Sequence, residues 1–318
     1  MASFQIREYN KTDTKKILNL FQRSFNKETS EASFRWKYEH SPWGAKAYVA
    51  IDRGRAVAFY GGVRLQFKSR GKKLWAYQIC DVMTHPGYRG LFFSKTPIVV
   101  RLGKLFYSEN SLDFAFGFPS IRHAKLQCLA LGLEGYRFVT LFKRSGSRKF
   151  PSIKKLEVKE GWGCLVEADL RRLLARQNRY SFYLEKDEHY IRWRYREHPS
   201  RKYNVLMFAE KKKTKGIIIC SLENDRVNIL ELLSFRNDDI DDILATFEAY
   251  IRENTAAVRN IVLWSHPMTS LNRCLDTLRY KAENHIPLGF KSVTTSSYIT
   301  AKIFFDRYYY CMGDYDAA

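Results

Sequence analysis

The key segment of the sequence is Asp81–Ser94, DVMTHPGYRGLFFS. A predicted strand leads into it, and a predicted helix over 94–108 leads out of it. Between them lies a loop with Arg89 and Gly90, which directs free backbone N–H groups and the positive end of the helix dipole to one point. Arg89 would add a guanidinium, and Gly90 would let a ligand approach the backbone. The segment predicts a phosphate or pyrophosphate site, and an ordinary turn stays the alternative.

A second motif occurs twice. Phe34–Pro42 (FRWKYEHSP) and Ile191–Pro199 (IRWRYREHP) share the order Arg-Trp-basic-Tyr at an offset of 157, and a His and a Pro follow in both. A strand-like run comes after each copy. Further on, Asp113–Ser120 has a parallel in Ile261–Thr269. The chain is therefore predicted to hold two copies of one α/β unit.

The order of elements is clearest in the first copy. Thr12 or Asp13 can cap a helix with Ile17, Leu18, Phe21 and Phe25 on one face. The predicted elements after it are a short helix at 34–38, strands at 47–51, 56–68 and 74–84, the helix at 94–108, a strand at 112–118, a helix at 120–131 and a strand at 136–143. This order predicts a mixed sheet with helices on both faces.

Three segments follow from the duplication. We predict a first domain over 1–145, a basic linker over 146–155 and a second domain over 156–318. The linker prediction rests on Gly, Ser, Pro and Lys or Arg without an acid. Each domain is expected to carry its own sheet.

Charge separates the two halves of this 318-residue chain. Residues 1–150 hold 27 basic and 10 acidic side chains, whereas residues 151–318 hold 27 and 23. The excess in the first half suggests an anionic ligand or partner there, although a merely basic surface explains it equally well. The apolar fraction of 45% excludes a disordered chain.

The compartment is predicted from what the sequence lacks. Its six cysteines are scattered, with no close pair and no Cys/His cluster, so we expect reduced thiols and no metal site. No apolar run is long enough for a membrane span, and the N-terminus lacks the layout of a secretory signal. The expected location is the cytoplasm.

The loop motif resembles a known family. V-x-x-H-P-x-Y-R-G, at Val82–Gly90, is similar to the acetyl-CoA pyrophosphate loop of the GNAT N-acetyltransferases. Phe116–Ser120 with the later Leu131-Gly132-Leu133 resembles the second core element of that family. The duplicated motif and the C-terminal Met312–Asp316 resemble its tandem subgroup. The resemblance implies an α/β protein of two GNAT-like mixed-sheet domains in tandem.

What the resemblance implies for function is an N-acyltransferase. An amine acceptor would attack the acetyl-CoA thioester directly, with a general base taking its proton. The backbone near Val82–Thr84 would polarise the thioester carbonyl. The residues implied for cofactor binding are Val82, Met83, Thr84, Arg89, Gly90, Leu91, Phe92, Phe93 and Ser94.

Three side chains are candidates for proton transfer. Asp81 is the only acid in the 74–84 strand and is the leading candidate for the base. Glu134 is a second candidate for the base, and Tyr136 could act as a general acid. Each also has an ordinary structural explanation: a strand-end ion pair for Asp81, turn solvation for Glu134 and core packing for Tyr136.

The second copy lacks the phosphate loop. Its equivalent, Leu233–Asp242, has no Gly and places four acids at the start of the following helix. Those carboxylates satisfy the helix dipole and would repel a pyrophosphate. We therefore expect the second domain to shape or bind the acceptor rather than to hold acetyl-CoA.

Two other functions stay open. Phe92 and Ser94 stand where the family has Gly and Gly or Ala, and this departure also suits an aminoacyl-tRNA-dependent, peptidyl transferase-like enzyme or a non-catalytic GNAT-fold binding module. A nucleic-acid partner is thus left open but not favoured. The identity of the amine acceptor and the oligomeric state do not follow from the sequence.

Overall fold

The computed structural model describes residues 4–89, 96–145, 156–255, 258–266, 269–294 and 298–315. The elements of the first copy are β1 (Gln5–Glu8), α1 (Thr14–Phe25), α2 (Glu31–Tyr38), β2 (Ala45–Asp52), β3 (Arg55–Ser69), β4 (Lys72–Thr84), α3 (Ile98–Glu109), β5 (Phe114–Gly117), α4 (Ile121–Leu131) and β6 (Gly135–Ser145). From α1 onward the order matches the one expected from the sequence, whereas β1 was not predicted.

The second copy repeats this order with additions. Its elements are β7 (Glu157–Glu160), α5 (Glu167–Ala175), β8 (Phe182–Leu184), α6 (Glu188–Ile191), β9 (Asn204–Glu210), β10 (Lys213–Glu223), β11 (Arg226–Ser234), α7 (Ile240–Asn254), β12 (Asn260–Trp264), α8 (Ser270–Thr277), β13 (Lys281–Ser292), α9 (Ala301–Arg307) and β14 (Tyr308–Tyr309). A further helical turn, Arg192–Arg196, extends α6.

Tight turns join the strands of the first meander. Arg53 and Gly54 connect β2 to β3 with φ angles of 47° and 77°, and Arg70 with Gly71 does the same between β3 and β4. Positive φ at both central positions matches the right-handed twist of the strands, and glycine adopts it without steric cost. The predicted strands 47–51, 56–68 and 74–84 are thus joined in order by two hairpins.

One mixed sheet runs through both copies. The order is β1-β2-β3-β4-β5-β13-β6-β12-β11-β10-β9-β7, with β8 and β14 attached at β3. Strand β13 of the second copy pairs antiparallel with β5 of the first, and β6 of the first pairs antiparallel with β12 of the second. The mixed α/β fold is confirmed, but each copy completes its sheet with a strand of the other.

Helices cover both faces of the sheet, because successive side chains of β2 pack alternately into two different cores. Val49 packs into a core with α1 and α2, whereas Tyr48 and Ala50 pack into a second core with α3. The first core continues into the second copy through residues of α5 and α6. The first-copy site described below therefore has α1 and α2 on one face and α3 and α4 on the other.

The duplicated motif forms the contact between the two copies. Trp36 and Trp193 stack with ring centroids 4.6 Å apart, and each Nε1 donates to the other's carbonyl oxygen, at 2.8 and 3.1 Å. Both indoles are buried. The reciprocal bonds satisfy two buried N–H groups, and each copy of the motif makes the same contact with the other.

None of the helices in the described part of the chain combines the length and the hydrophobicity that a membrane crossing requires. All six cysteines are free.

Candidate active site

The sheet forks beside Asp81. Strands β4 and β5 run parallel from the pair Ala76 and Phe114 to the pair Ile79 and Gly117. There β5 ends, while β4 continues to Thr84. The described residues place no strand beside this last part of β4 on its β5 side, so backbone groups there are open to a ligand. Gly117 permits the close approach before the fork, since a Cβ would lie 2.9 Å from the Ile79 carbonyl oxygen.

A bulge on β4 marks the same point. The register with β3 shifts between Phe59 and Gly61, and Asp81 has a φ of 51°. Bulges bend a strand and redirect its side chains, and Asp tolerates positive φ better than most residues. Gly61 lies opposite the bulge, where a Cβ would come within 2.3 Å of the Tyr38 hydroxyl. That glycine gives Tyr38 room to reach Asp81.

A cavity of about 850 Å³ opens at the fork. Phe21, Phe25 and Phe34 line it from the side of α1 and α2, and Tyr107, His123 and Gln127 line it from the side of α3 and α4. Because these helices lie on opposite faces of the sheet, the cavity crosses the sheet where β4 and β5 separate. Two ligands can therefore reach one point from opposite faces.

The structure places Asp81 in the wall of this cavity. Its Oδ2 accepts hydrogen bonds from Lys37 Nζ at 3.0 Å and from Tyr38 Oη at 2.9 Å. Burial, and next the Asp81 charge, raise the pKa of Tyr38 well above its usual value, so this hydroxyl keeps its proton. Within the described residues Oδ1 has no hydrogen-bond partner. Asp81 is thus fixed through one oxygen and can accept a proton on the other.

His123 is a cavity residue that the sequence did not single out. Ser120 Oγ caps α4 by accepting from the His123 N–H at 3.3 Å, which fixes the imidazole in the first turn. Burial lowers the pKa of His123, so the ring is neutral near pH 7. Its position three residues after Ser120 was the available signal, since the turn Phe118-Pro119-Ser120 leaves β5 at the fork.

The predicted cofactor-binding residues lie in different surroundings in the structure. Val82 lines the cavity, whereas the Met83 side chain is buried in the core with α1 and α2. Arg89 donates from Nε to the Thr84 carbonyl at 3.0 Å and from Nη2 to the Ser24 carbonyl at 2.8 Å. It therefore ties the end of β4 to α1. Gly90, Leu91, Phe92, Phe93 and Ser94 lie outside the described residues.

Glu134 and Tyr136 are placed elsewhere. Glu134 Oε1 accepts from the Ser292 N–H at 2.7 Å, and Tyr136 lies opposite Gly289 on β13 with its ring against Phe138. Neither belongs to the described lining of the cavity. Their roles in proton transfer stay untested predictions.

The second copy fills its own cleft with the C-terminal segment. Lys186 Nζ lies 2.6 Å from both Glu231 and Asp314, and 3.1 Å from Cys311 Sγ. Burial alone would lower the pKa of Lys186, but the surrounding carboxylates raise it well above its usual value. The side chains of Glu231, Cys311 and Asp314 lie close enough together to hold a metal ion. The Lys186 ammonium is the positive charge that lies among them.

The same segment continues into the first copy. Arg194, the counterpart of Lys37 in the duplicated motif, is buried and donates to the carbonyls of Gly313 and Tyr315. Gln78 on β4 donates to the Asp314 carbonyl at 2.7 Å. The Tyr315 side chain lines the cavity at the fork. The tail thus closes one cleft and forms part of the wall of the other.

Comparison with known proteins agrees with this architecture. Residues 5–120 match the family model of the acetyltransferase (GNAT) domain. No curated protein sequence matches the chain. The family match covers residues 5–120, and over nearly the whole length of the chain the likeness is one of fold.

Three solved structures show the likeness in fold. A conserved Enterococcus faecalis protein of unknown function, described as a probable N-acyltransferase, has a TM-score of 0.72 at 13% identity, covering 93% of this chain and 74% of its own. A GCN5-related N-acetyltransferase of Anabaena variabilis gives 0.67 at 14% with the same coverage. One of Kribbella flavida gives 0.60 at 13%, covering 91% and 71%.

Proposed function

We propose that the chain is an N-acyltransferase that moves an acetyl group from acetyl-CoA to an amine in the cavity at the β4–β5 fork. The observation that carries the proposal is that this cavity crosses the sheet and has Asp81 in its wall. The family match over residues 5–120 supports acyl transfer in general. Which acyl group and which mechanism apply are parts of the proposal.

The described residues fit acetyl-CoA. Beyond Ile79 no described strand pairs with β4 on its β5 side, so an extended amide-containing chain could pair with it there. At the start of α3 the described residues provide no side-chain cap, and Val100 and Arg101 donate to the Pro97 carbonyl, so the N–H groups of Ile98 and Val99 would be the ones that bind an anion. Arg89 would hold the end of β4 in place through Thr84. Bound there, the thioester supplies an acyl carbon with a good leaving group.

The reaction requires a base that removes a proton from the amine, and this role is proposed for Asp81. The amine nitrogen forms a bond to the acyl carbon while the bond from that carbon to sulfur breaks, so the nitrogen must lose a proton and the thiolate must gain one. Asp81 Oδ1 would take the proton of the amine, directly or through a water. Lys37 and Tyr38 would hold the carboxylate in position during this step.

The test combines binding and turnover. We expect wild-type protein and Asp81→Asn to bind acetyl-CoA with similar affinity in calorimetric titrations. We expect amine-dependent release of CoA thiol to fall about 100-fold or more in Asp81→Asn, the range for loss of a general base. Arg89→Ala is expected to weaken acetyl-CoA binding about tenfold, through loss of its charge-assisted bonds.

Glu134→Gln is the matched carboxylate-to-amide control, and it is expected to keep its turnover because Glu134 lies outside the cavity lining. Failure of wild-type protein to bind acetyl-CoA would overturn the proposal. The aminoacyl-tRNA-dependent enzyme and the non-catalytic module would then be the remaining candidates.

A further inference from the structure

One wall of the cavity comes from the second copy. His198, Ser200 and Arg201 line it, although they follow the duplicated motif of that copy. The Ser33 hydroxyl on α2 donates to Ser200 Oγ at 3.1 Å. The His198 ring packs against the Trp36 ring, with 4.3 Å between the ring centroids. This wall, His198–Arg201, is therefore fastened to α2, on the face of the sheet opposite α3.

His198 presents an N–H donor. Its Nδ1 accepts hydrogen bonds from the backbone N–H groups of Ser200 at 3.3 Å and Arg201 at 3.1 Å. A ring nitrogen that accepts cannot carry the proton, so in the neutral ring the proton is on Nε2. Burial, with the nearby cations, lowers the pKa of His198 to about 3. The ring is therefore a fixed neutral donor at physiological pH.

Arg201 brings an uncompensated charge. Within the described ranges its guanidinium makes no ion pair and no hydrogen bond, although it lines the cavity. Lys27 and Glu28 also line the cavity, and Lys37 with Asp81 forms a neutral pair. Among the described lining residues on this side, these groups leave one excess positive charge, that of Arg201. An unpaired guanidinium beside an N–H donor is suited to a carboxylate or a phosphate.

We propose that the acceptor is an amine that also carries an anionic group, a carboxylate or a phosphate, which Arg201 and His198 bind while the amine lies at Asp81. This inference rests on the proposed function and specifies its acceptor class. The reacting end and the anionic end of the acceptor would then contact different copies of the duplicated unit.

The anionic group that Arg201 and His198 bind is not expected to be a phosphate of acetyl-CoA. The predicted phosphate loop precedes α3, which packs with Tyr48 and Ala50. Ser200 and His198 instead contact α2, on the Val49 face. The start of α3 and the wall His198–Arg201 therefore lie on opposite faces of the sheet.

The experiment compares matched acceptors. A series of ω-amino carboxylates of increasing chain length is assayed for acetylation, each beside the n-alkylamine and the aminoalkyl phosphate of the same length. We expect at least one anionic series to exceed its alkylamines in kcat/KM. Arg201→Gln is expected to lower kcat/KM for the anionic acceptor by about 10- to 100-fold, with little effect on the alkylamine.

The controls separate this inference from the proposed function. Arg196→Gln removes an exposed arginine at the end of the preceding helical turn, outside the described lining of the cavity, and it is expected to act like wild type. Calorimetry with acetyl-CoA accompanies every variant. Normal acetyl-CoA binding with no preference for anionic acceptors, or with equal loss for both acceptor types in Arg201→Gln, overturns the inference alone. Absence of acetyl-CoA binding in wild type overturns the proposed function and the inference with it.

Discussion

At the scale of single residues, His198 links the acid stability of the fold to the cavity wall. Its Nδ1 is held by two backbone N–H groups, and its ring lies against Trp36. The folded protein therefore keeps the ring neutral down to a pKa of about 3, below the ordinary value of 6.5. In the unfolded chain the same ring would take up a proton near 6.5.

This difference predicts how stability varies with pH. As the pH falls below 6.5, the unfolded chain binds a proton that the folded protein does not, so His198 makes folding less favourable down to about pH 3. We expect wild type to lose about 1 kcal/mol more than His198→Asn between 6.5 and about pH 5, after allowance for solvent screening. Urea unfolding at several pH values measures it.

His85→Asn is the control for removing an imidazole that accepts from the backbone, because His85 Nδ1 accepts from the Gly87 N–H. The prediction would be contradicted if the wild-type and His198→Asn curves stayed parallel over this pH range.

At the scale of elements, the C-terminal segment Cys311–Tyr315 packs closely against β11. Gly313 lies between Tyr195 and β11, where a Cβ would meet the Tyr195 hydroxyl at 1.9 Å, Glu231 Oε1 at 2.7 Å and the Leu230 carbonyl oxygen at 3.0 Å. The close approach brings Asp314 to Lys186 and Tyr315 to the cavity. The shape of the cavity therefore depends on how this segment packs against β11.

We expect Gly313→Ala to destabilise the protein by about 3 kcal/mol, because neighbours on two sides must move to admit one methyl group. The midpoint of urea unfolding measures the change. Gly163→Ala adds the same methyl where no atom lies within 4 Å, and its effect is expected to stay within about 0.5 kcal/mol. Equal midpoints for the two variants would show that the segment is not seated on β11.

The elements also show which parts of the structure the sequence could predict. The helices and strands of the first copy follow local hydrophobic periods and turn residues, and the predicted 56–68 and 74–84 strands became β3 and β4. Asp81 was found as a lone acid in a strand. Its partner Lys37 was not, since no local pattern indicates a contact between residues that far apart.

The exchange of β6 and β13 could not be predicted for a similar reason. The pattern of a strand shows which of its faces is buried, but it does not show which strand lies beside it. The duplicated motif was visible as a repeat, yet only the structure shows that Trp36 and Trp193 contact each other. His198 and Tyr315 in the cavity wall depend on that same arrangement of the copies.

At the scale of the whole molecule, neither copy has a complete sheet without the other. A fragment of residues 1–145 would leave β5 without β13 and β6 without both of its neighbours. The core that contains Trp36 also contains Trp193, so the fragment would expose apolar surface as well. The two copies should therefore fold as one cooperative unit.

We expect the full chain to unfold in urea in a single transition, with coincident midpoints by near-UV circular dichroism and by tryptophan fluorescence. The fragment 1–145 alone is expected to lack a cooperative transition. A variant with a protease site inserted in the predicted linker 146–155, which lies outside the described residues, provides the sharper test, since cleavage there breaks the chain but leaves every described strand in place. The cleaved protein should elute as one species in size-exclusion chromatography and separate into two fragments only in denaturant. Two resolved transitions in the full chain, or separation of the cleaved fragments under native conditions, would show that the exchanged strands do not hold the copies together.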